Sequence, residues 1–444
     1  MILAALLGIA VLSLYVRTVD DVPFQPDESS WIHMSRDFDA LARLDVGRLV
    51  WWSGEAPNGD VGYRLLNAPL PTYQIGLARW LSGHREEPNA NWNWLLSWET
   101  NQAAGAMPSR EALHIARLSA VFAAALSVVL FYWVSSDIIG AIPALVAALL
   151  LALHPIELLH TRRAMAESTA QLFSMLAMLT IVRLVVSARR DRRVRPSLFP
   201  AAVAGIAIGL AVSSKHNAVA LVPLGLLAVA VAAMESDRPI RTPLIAVPLH
   251  VGVFLVSSLL TFFVLNPVTY SQPLRAGRFM IALRRSLANS QAANLESAGS
   301  NAATPTTRSR LNASYREVFW NPPDLSESAT YAEIGPSATA YERRPLTVFL
   351  NQKWLRFLFL LFSGIGLAIA AQTIAFDRLG ARSRPMQIVV LWLLAEIAFV
   401  ALFIPMDWQR YFLPLLPPVC ILAALGSSWV TERILRYTAR RAGL

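Results

Sequence analysis

The sequence predicts an all-α polytopic membrane protein of about ten transmembrane helices, with short loops on one side and two long ones on the other. Three observations carry that prediction. The 444 residues are 55% hydrophobic and only 15% charged, with a mean hydropathy of +0.46, outside the usual range of soluble domains. Apolar runs, most of them near the roughly 20 residues that cross a hydrocarbon core, recur between breaks rich in charge or proline. Lys and Arg together number 39, for a net charge of +10, and they fall in short clusters between the runs. That distribution is the positive-inside bias of membrane proteins rather than a nucleic-acid surface. The single cysteine, Cys420, lies in an apolar run, so cysteine usage does not report a redox compartment.

In chain order the predicted spans are residues 1–19, 113–134, 141–156, 165–187, 199–214, 217–234, 243–265, 346–371, 387–405 and 412–430. The third, fifth and sixth are short, and the last two of these are parted only at Lys215-His216-Asn217. The first is read as a retained helix, because it lacks a basic n-region and no small-x-small site stands before Asp20. Arg189, Arg190, Arg192, Arg193, Arg195, Arg238, Arg241, Arg378, Arg382, Arg384 and the tail arginines Arg433, Arg436, Arg440 and Arg441 share one side if both termini are cytoplasmic. The other face then receives loops 20–112 and 266–345 and the short segments 160–167, 215–216 and 407–411. This divides the chain into a membrane-embedded module 1–265 that includes the first loop, an extracytoplasmic loop 266–345, and C-terminal helices 346–444. It sets a multi-pass protein in the plasma (inner) membrane with its chemistry on the extracytoplasmic face. Residues 289–314, rich in Ser, Ala, Asn and Thr, have little to bury and are expected to be mobile.

Just past the first span, Asp27 and Glu28 stand side by side after Pro26. From there Trp31, Met34, Phe38, Leu41 and Leu44 recur at spacings of three and four, the pattern of an amphipathic helix lying on the outer membrane surface. The two acids open its first turn, where the helix dipole favours carboxylates, so they are either a helix cap or a pair for proton chemistry. Further on, Asn67-Ala68-Pro69-Leu70-Pro71-Thr72-Tyr73 precedes a second helix ending near Gly83, and Arg117-Leu118-Ser119-Ala120 opens the second span.

In that order, and with Pro155-Ile156-Glu157 through Arg163-Ala164-Met165-Ala166-Glu167, Gly209-Leu210-Ala211 through Lys215, and Asp407-Trp408-Gln409-Arg410-Tyr411, the chain resembles the GT-C glycosyltransferases. It is most similar to bacterial relatives of the protein O-mannosyltransferases and of the aminoarabinose transferase that modifies lipid A. The likeness covers nearly all the spans and not loop 266–345. The stretch before Arg117, which carries Trp92, Trp94 and Trp98, is longer than the family pattern, and a single Pro-Leu-Pro replaces a double Pro. Both departures bear on acceptor recognition.

The resemblance implies a sugar donor linked to polyprenyl phosphate and transfer, with inversion, to a hydroxyl on an extracytoplasmic acceptor: a protein, a lipid or a polysaccharide. A hydroxyl is a poor nucleophile at neutral pH, so a carboxylate must take its proton. Asp27 is the candidate base, and Glu28 holds the acceptor or tunes the pair by like-charge repulsion. The leaving phosphate needs fixed cations, and Arg162, Arg163, Lys215, His216 and Arg410 are expected at that depth. Lys215 is one of only two lysines in the chain, although a snorkelling boundary residue would look the same. Tyr73, Glu167 and Tyr411 are candidate substrate contacts. Glu167 has Arg163 four residues before it as a helix-face partner, Arg410 has Asp407 close by, and Tyr411 would also serve as an interfacial anchor. Trp320 and Tyr331 either cover the acceptor or belong to an ordinary exposed loop.

No spacing of His or Cys matches a closed zinc site. The reading requires no cofactor, and a divalent ion is compatible with it. The partners it implies are the lipid-linked sugar, the hydroxyl acceptor and membrane lipid, with no nucleic acid. The rival class is a lipid-linked sugar flippase or transporter, which predicts inverted halves and mid-membrane charge. No half-to-half repeat is evident.

Overall fold

A computed structural model of the chain describes residues 1–52, 57, 59–190, 198–234, 243–297, 302–327, 331–377 and 383–441. The side chains of Arg189 to Arg195, with Arg238, Arg241, Arg378 and Arg382, lie outside what is described. The regular secondary structure of the described residues is helical. No strand occurs among the described residues, and the one isolated bridge joins Ala303 to Met406.

Among the described residues seven helices are long and apolar enough to cross a membrane, beginning with Arg110–Ile139 and Glu167–Val186 and ending with Leu413–Arg441. Three shorter apolar helices, Ile2–Arg17, Ala141–Ala152 and Phe199–Ser214, stand at the first, third and fifth predicted spans. The predicted eighth span is broken at Asn351 and Gln352, and its long helix runs from Lys353 to Phe376. The helix Arg110–Ile139 is interior, with 67% of its apolar window buried, against 11% for Ile245–Leu265. The latter exposes Val256, Leu259, Leu260 and Val264, a surface that suits lipid tails.

Helix Phe199–Ser214 packs along Pro243–Leu265 through Gly205 and Gly209. A Cβ on Gly205 would stand 2.3 Å from the Phe254 carbonyl oxygen, and one on Gly209 2.7 Å from that of Ser258. Small residues four apart let two backbones approach this closely. The close crossing fixes the end of the helix, from which Lys215 projects.

The long loops fold against each other at one end of the bundle. The expected amphipathic helix is two short ones, Pro26–Met34 and Asp37–Ala42, and Trp31, Ile32 and Met34 are buried against protein rather than laid on a membrane surface. The stretch expected to be mobile is largely helical. Pro273–Ser297 and Thr307–Phe319 flank it, the second opened by a Thr306–Ser309 capping box. The Thr304 N–H donates to the Pro405 carbonyl at 2.8 Å and the Asp407 N–H to the Ala302 carbonyl at 2.9 Å. An aromatic cluster joins the loops, with Tyr331 5.5 Å from Trp92 and 5.7 Å from Trp98 between ring centroids. That contact gives the long first loop and Tyr331 a shared packing role.

Candidate active site

Asp27 and Glu28 occupy the first turn of Pro26–Met34, where Gln25 and Glu28 form a reciprocal capping box. The capping expectation is met through Glu28, and the two acids diverge. The Glu28 side chain is 0% exposed. Its oxygens accept two hydrogen bonds of 2.7 Å from Arg117, one of 2.8 Å from the Ala164 N–H and one of 3.0 Å from the Gln25 N–H. Burial pushes its carboxyl pKa up, but Arg117 and the backbone donors outweigh that and hold it below the usual range. With its lone pairs engaged inside the protein, Glu28 presents no free oxygen to a substrate.

Asp27 keeps 24% of its side chain exposed and pairs with Arg410. The Arg410 guanidinium is shared. Its Nε lies 3.5 Å from Glu327 Oε2, and its backbone N–H donates to Glu327 Oε1 at 3.1 Å. Burial disfavours its charge, yet Asp27 and Glu327 raise its pKa well above the ordinary value. The guanidinium also stands over the rings of Trp408 and Tyr411, at 5.0 and 5.8 Å, and Trp408 and Tyr411 are stacked at 6.0 Å. Asp407 does not take Arg410 as partner. It pairs with Arg316 at 3.1 Å.

Glu167 and Lys215 meet at 2.9 Å, and the Lys215 ammonium stands 5.4 Å from the Tyr411 ring centre. The helix-face pair Arg163 with Glu167 is not formed, because the chain turns out of helix between residues 161 and 166. Arg163 is instead fully buried and donates from Nη2 to the Leu325 carbonyl at 2.7 Å. Its Nε and Nη1 have no hydrogen-bond partner among the described residues.

Two expected phosphate ligands go elsewhere. Arg162 donates to the Thr18 carbonyl and hydroxyl at 2.7 and 2.6 Å and to the Tyr341 hydroxyl at 2.9 Å, bracing the first helix against the second loop. The His216 ring turns toward Phe262, 6.4 Å between centroids. Tyr73 donates to the Leu265 carbonyl at 3.3 Å and stands away from the cations.

Two cavities adjoin this cluster. One is walled by Met175, Trp392, Leu413 and Pro417, with Glu167, Lys215 and Arg410 among its polar groups. Glu396, buried on Ser383–Phe403, also lines it. The other is lined by Tyr63, Tyr73, Thr72, Asn266 and the Asp37–Arg64 ion pair. Tyr63 stays un-ionised far above its ordinary pKa, first through burial and then through the charge of Asp27. Asn266 is buried with its Oδ1 unpartnered among the described residues. No group of three or more His, Cys, Asp or Glu among the described residues is placed to hold a metal ion.

Arg117, Glu327 and Tyr63 were not singled out as site residues from sequence. Arg117 carried a signal, a lone arginine opening an apolar span. Glu327 and Tyr63 carried none, since each is one polar residue in a long loop.

Fold and site together define the class, a multi-pass membrane protein of the GT-C glycosyltransferase fold. Within that class, residues 63–269 match the family model for dolichyl-phosphate-mannose-protein mannosyltransferase. The fold is similar to that of ArnT from Cupriavidus metallidurans, solved bound to undecaprenyl phosphate, with a TM-score of 0.50 and 15% identity over 99% of this chain and 64% of that one. The oligosaccharyltransferase AglB from Archaeoglobus fulgidus, solved with an inhibitory peptide and a dolichol-phosphate, aligns with a TM-score of 0.49 and 13% identity over 98% of this chain and 52% of that one. The chain thus spans about half to two thirds of the length of these solved structures. No curated protein sequence matches it significantly.

Proposed function

We propose that this protein transfers a sugar from a polyprenyl-phosphate donor to a hydroxyl of an extracytoplasmic acceptor, with Asp27 as general base and inversion at the anomeric carbon. The observation that carries the reading is the Asp27–Arg410 pair beside an apolar-walled cavity that also holds Lys215. A partly exposed carboxylate stands against a buried guanidinium, and the cavity offers cations at its polar part and apolar walls for a prenyl chain. The family match at residues 63–269 and the fold likeness to a protein that binds undecaprenyl phosphate support the same donor chemistry.

In this reading Arg410 and Lys215 take the phosphate and stabilise the charge that develops on it as the glycosidic bond breaks. Engagement of Arg410 by phosphate draws it from Asp27, whose carboxylate is then free to accept the acceptor proton. A single displacement requires the acceptor to enter from the face opposite the leaving group, and the cleft lined by Tyr63, whose pKa burial and then Asp27 raise, is the proposed place for it. Glu28 and Arg117 hold the Asp27 turn in place. The phosphate charge is met by Arg and Lys, so no metal is required, and activity should survive EDTA.

The test is transfer by purified protein in nanodiscs from radiolabelled polyprenyl-phosphate sugars, with host membrane extract as acceptor source. Asp27→Asn should lower turnover at least about a hundredfold, the scale of a lost general base, while melting like the wild type. Undiminished transfer by Asp27→Asn would remove Asp27 from the role of base.

A further inference from the structure

Among the described residues, the site gathers four cations, Arg117, Arg163, Lys215 and Arg410, and four carboxylates, Asp27, Glu28, Glu167 and Glu327. With these four acids ionised the pairs balance, so an entering phosphate anion competes with a carboxylate for its cation. Three of the four are anchored. Glu28 is bound by Arg117 and two backbone N–H groups, Asp27 shares its helical turn, and Glu167 begins the 24-residue helix Glu167–Arg190.

Glu327 differs in each respect. It stands outside any helix, and its φ of 40° lies in the left-handed region that residues with a Cβ rarely adopt. Its side chain is nevertheless 0% exposed, 3.3 Å from His160 and 3.5 Å from Arg410. The segment that carries it is held from outside by the same residues that make the site. Gln409 accepts from the Asp324 N–H at 2.6 Å and donates to the Pro322 carbonyl at 2.7 Å, and Arg163 donates to the Leu325 carbonyl. Within the segment, Asp324 accepts from the N–H groups of Ser326 and Glu327 at 3.1 and 2.9 Å.

Resting on the lipid-phosphate reading above, in which Asp27 yields Arg410 but stays on its helical turn as base, we infer that Glu327 is the carboxylate the donor phosphate drives out of the site, and that it sets donor affinity by competing for Arg410 and Arg163. The unpartnered Nε and Nη1 of Arg163 then become phosphate donors. The charges facing Glu327 are His160, Arg163, Arg410 and, on its own loop, Asp324. Burial moves its carboxyl pKa to about 7, against the lowering by Arg410 and Arg163. His160 stays neutral in this range, pushed well below its ordinary pKa by burial and by Arg163. Competition is therefore weak below about pH 7, where Glu327 is protonated, and strong above it.

The probe is farnesyl phosphate, with farnesol as the phosphate-free control, titrated into full-length protein in nanodiscs at pH 5.5 and 8.5. Comparing wild type with Glu327→Gln at each pH cancels the probe's own ionisation. Glu327→Gln should bind about tenfold more tightly than wild type at pH 8.5, the scale of one pKa unit of coupling, and equally at pH 5.5. Glu327→Ala should follow the same order. Melting curves identify a misfolded variant, and the other then carries the test. A ratio near one at both pH values, or weaker binding by the variants, would overturn the inference and leave the donor reading standing. Equal binding of farnesol and farnesyl phosphate by every protein would overturn both.

Discussion

Glu28 and Asp27 are neighbours in sequence with opposite surroundings, and the difference is one of partners. Two carboxylates at the start of a helix are legible as a functional or capping pair, but which is buried depends on Arg117, 89 residues away. Replacing Arg117 with Met should leave the Glu28 charge uncompensated and destabilise the protein by about 3–5 kcal/mol, read as a fall in the denaturation midpoint. The pH dependence follows from the depressed carboxyl pKa of Glu28. Its contribution is fully present above the unfolded value of about 4.3 and is lost as pH falls through the lower folded value. Thermal melting should thus show a constant gap between wild type and Glu28→Gln from pH 7 to about 5, and a narrowing gap below about pH 4. At Lys215, replacement by Met should raise the donor KM about tenfold through loss of one charge-assisted contact. An unchanged KM would return Lys215 to the boundary role its sequence context also allows.

Elements were legible where a single helix could bury its own apolar length. Among the described residues seven of the apolar runs hold helices long enough to cross a membrane, because about 20 apolar residues in hydrocarbon have no other way to satisfy their backbone; the first, third and fifth form shorter helices. The misreadings lie in the loops. Residues 289–297 and 307–314 looked too polar to order, yet they are helical, since capping at Thr306 and packing of Thr307–Phe319 on the helices Lys353–Phe376 and Ser383–Phe403 supply what composition lacks. Helix Phe199–Ser214 is the element that sets the site, because its glycines fix the depth of Lys215. Gly209→Leu would drive a side chain into the Ser258 carbonyl and Thr261. It should lower stability by about 1–3 kcal/mol and reduce donor binding as well, measured by melting and by farnesyl phosphate titration.

At the scale of the whole molecule, the site exists only because segments near residues 27, 163, 215, 327 and 410 converge at the end of the bundle where the two long loops meet. Sidedness can be read directly, since the lone Cys420 is buried and leaves a low labelling background. A cysteine replacing the exposed Glu333 should react with a membrane-impermeant maleimide in intact cells, and one replacing Arg436 should react only after lysis. The reverse pattern would turn the proposed orientation over. By itself the sequence determined the membrane class, most of the helical runs and the acidic pair, all local in hydropathy or spacing. Only the tertiary structure decided that Glu28 is buried by Arg117, that Arg410 turns to Asp27 rather than Asp407, that Arg162 and His216 leave the cation cluster, and that Glu327 enters it. Those are pairings between residues up to 383 positions apart, and an ion pair is chosen by which charges packing brings within a few ångströms, a property no local window of sequence contains.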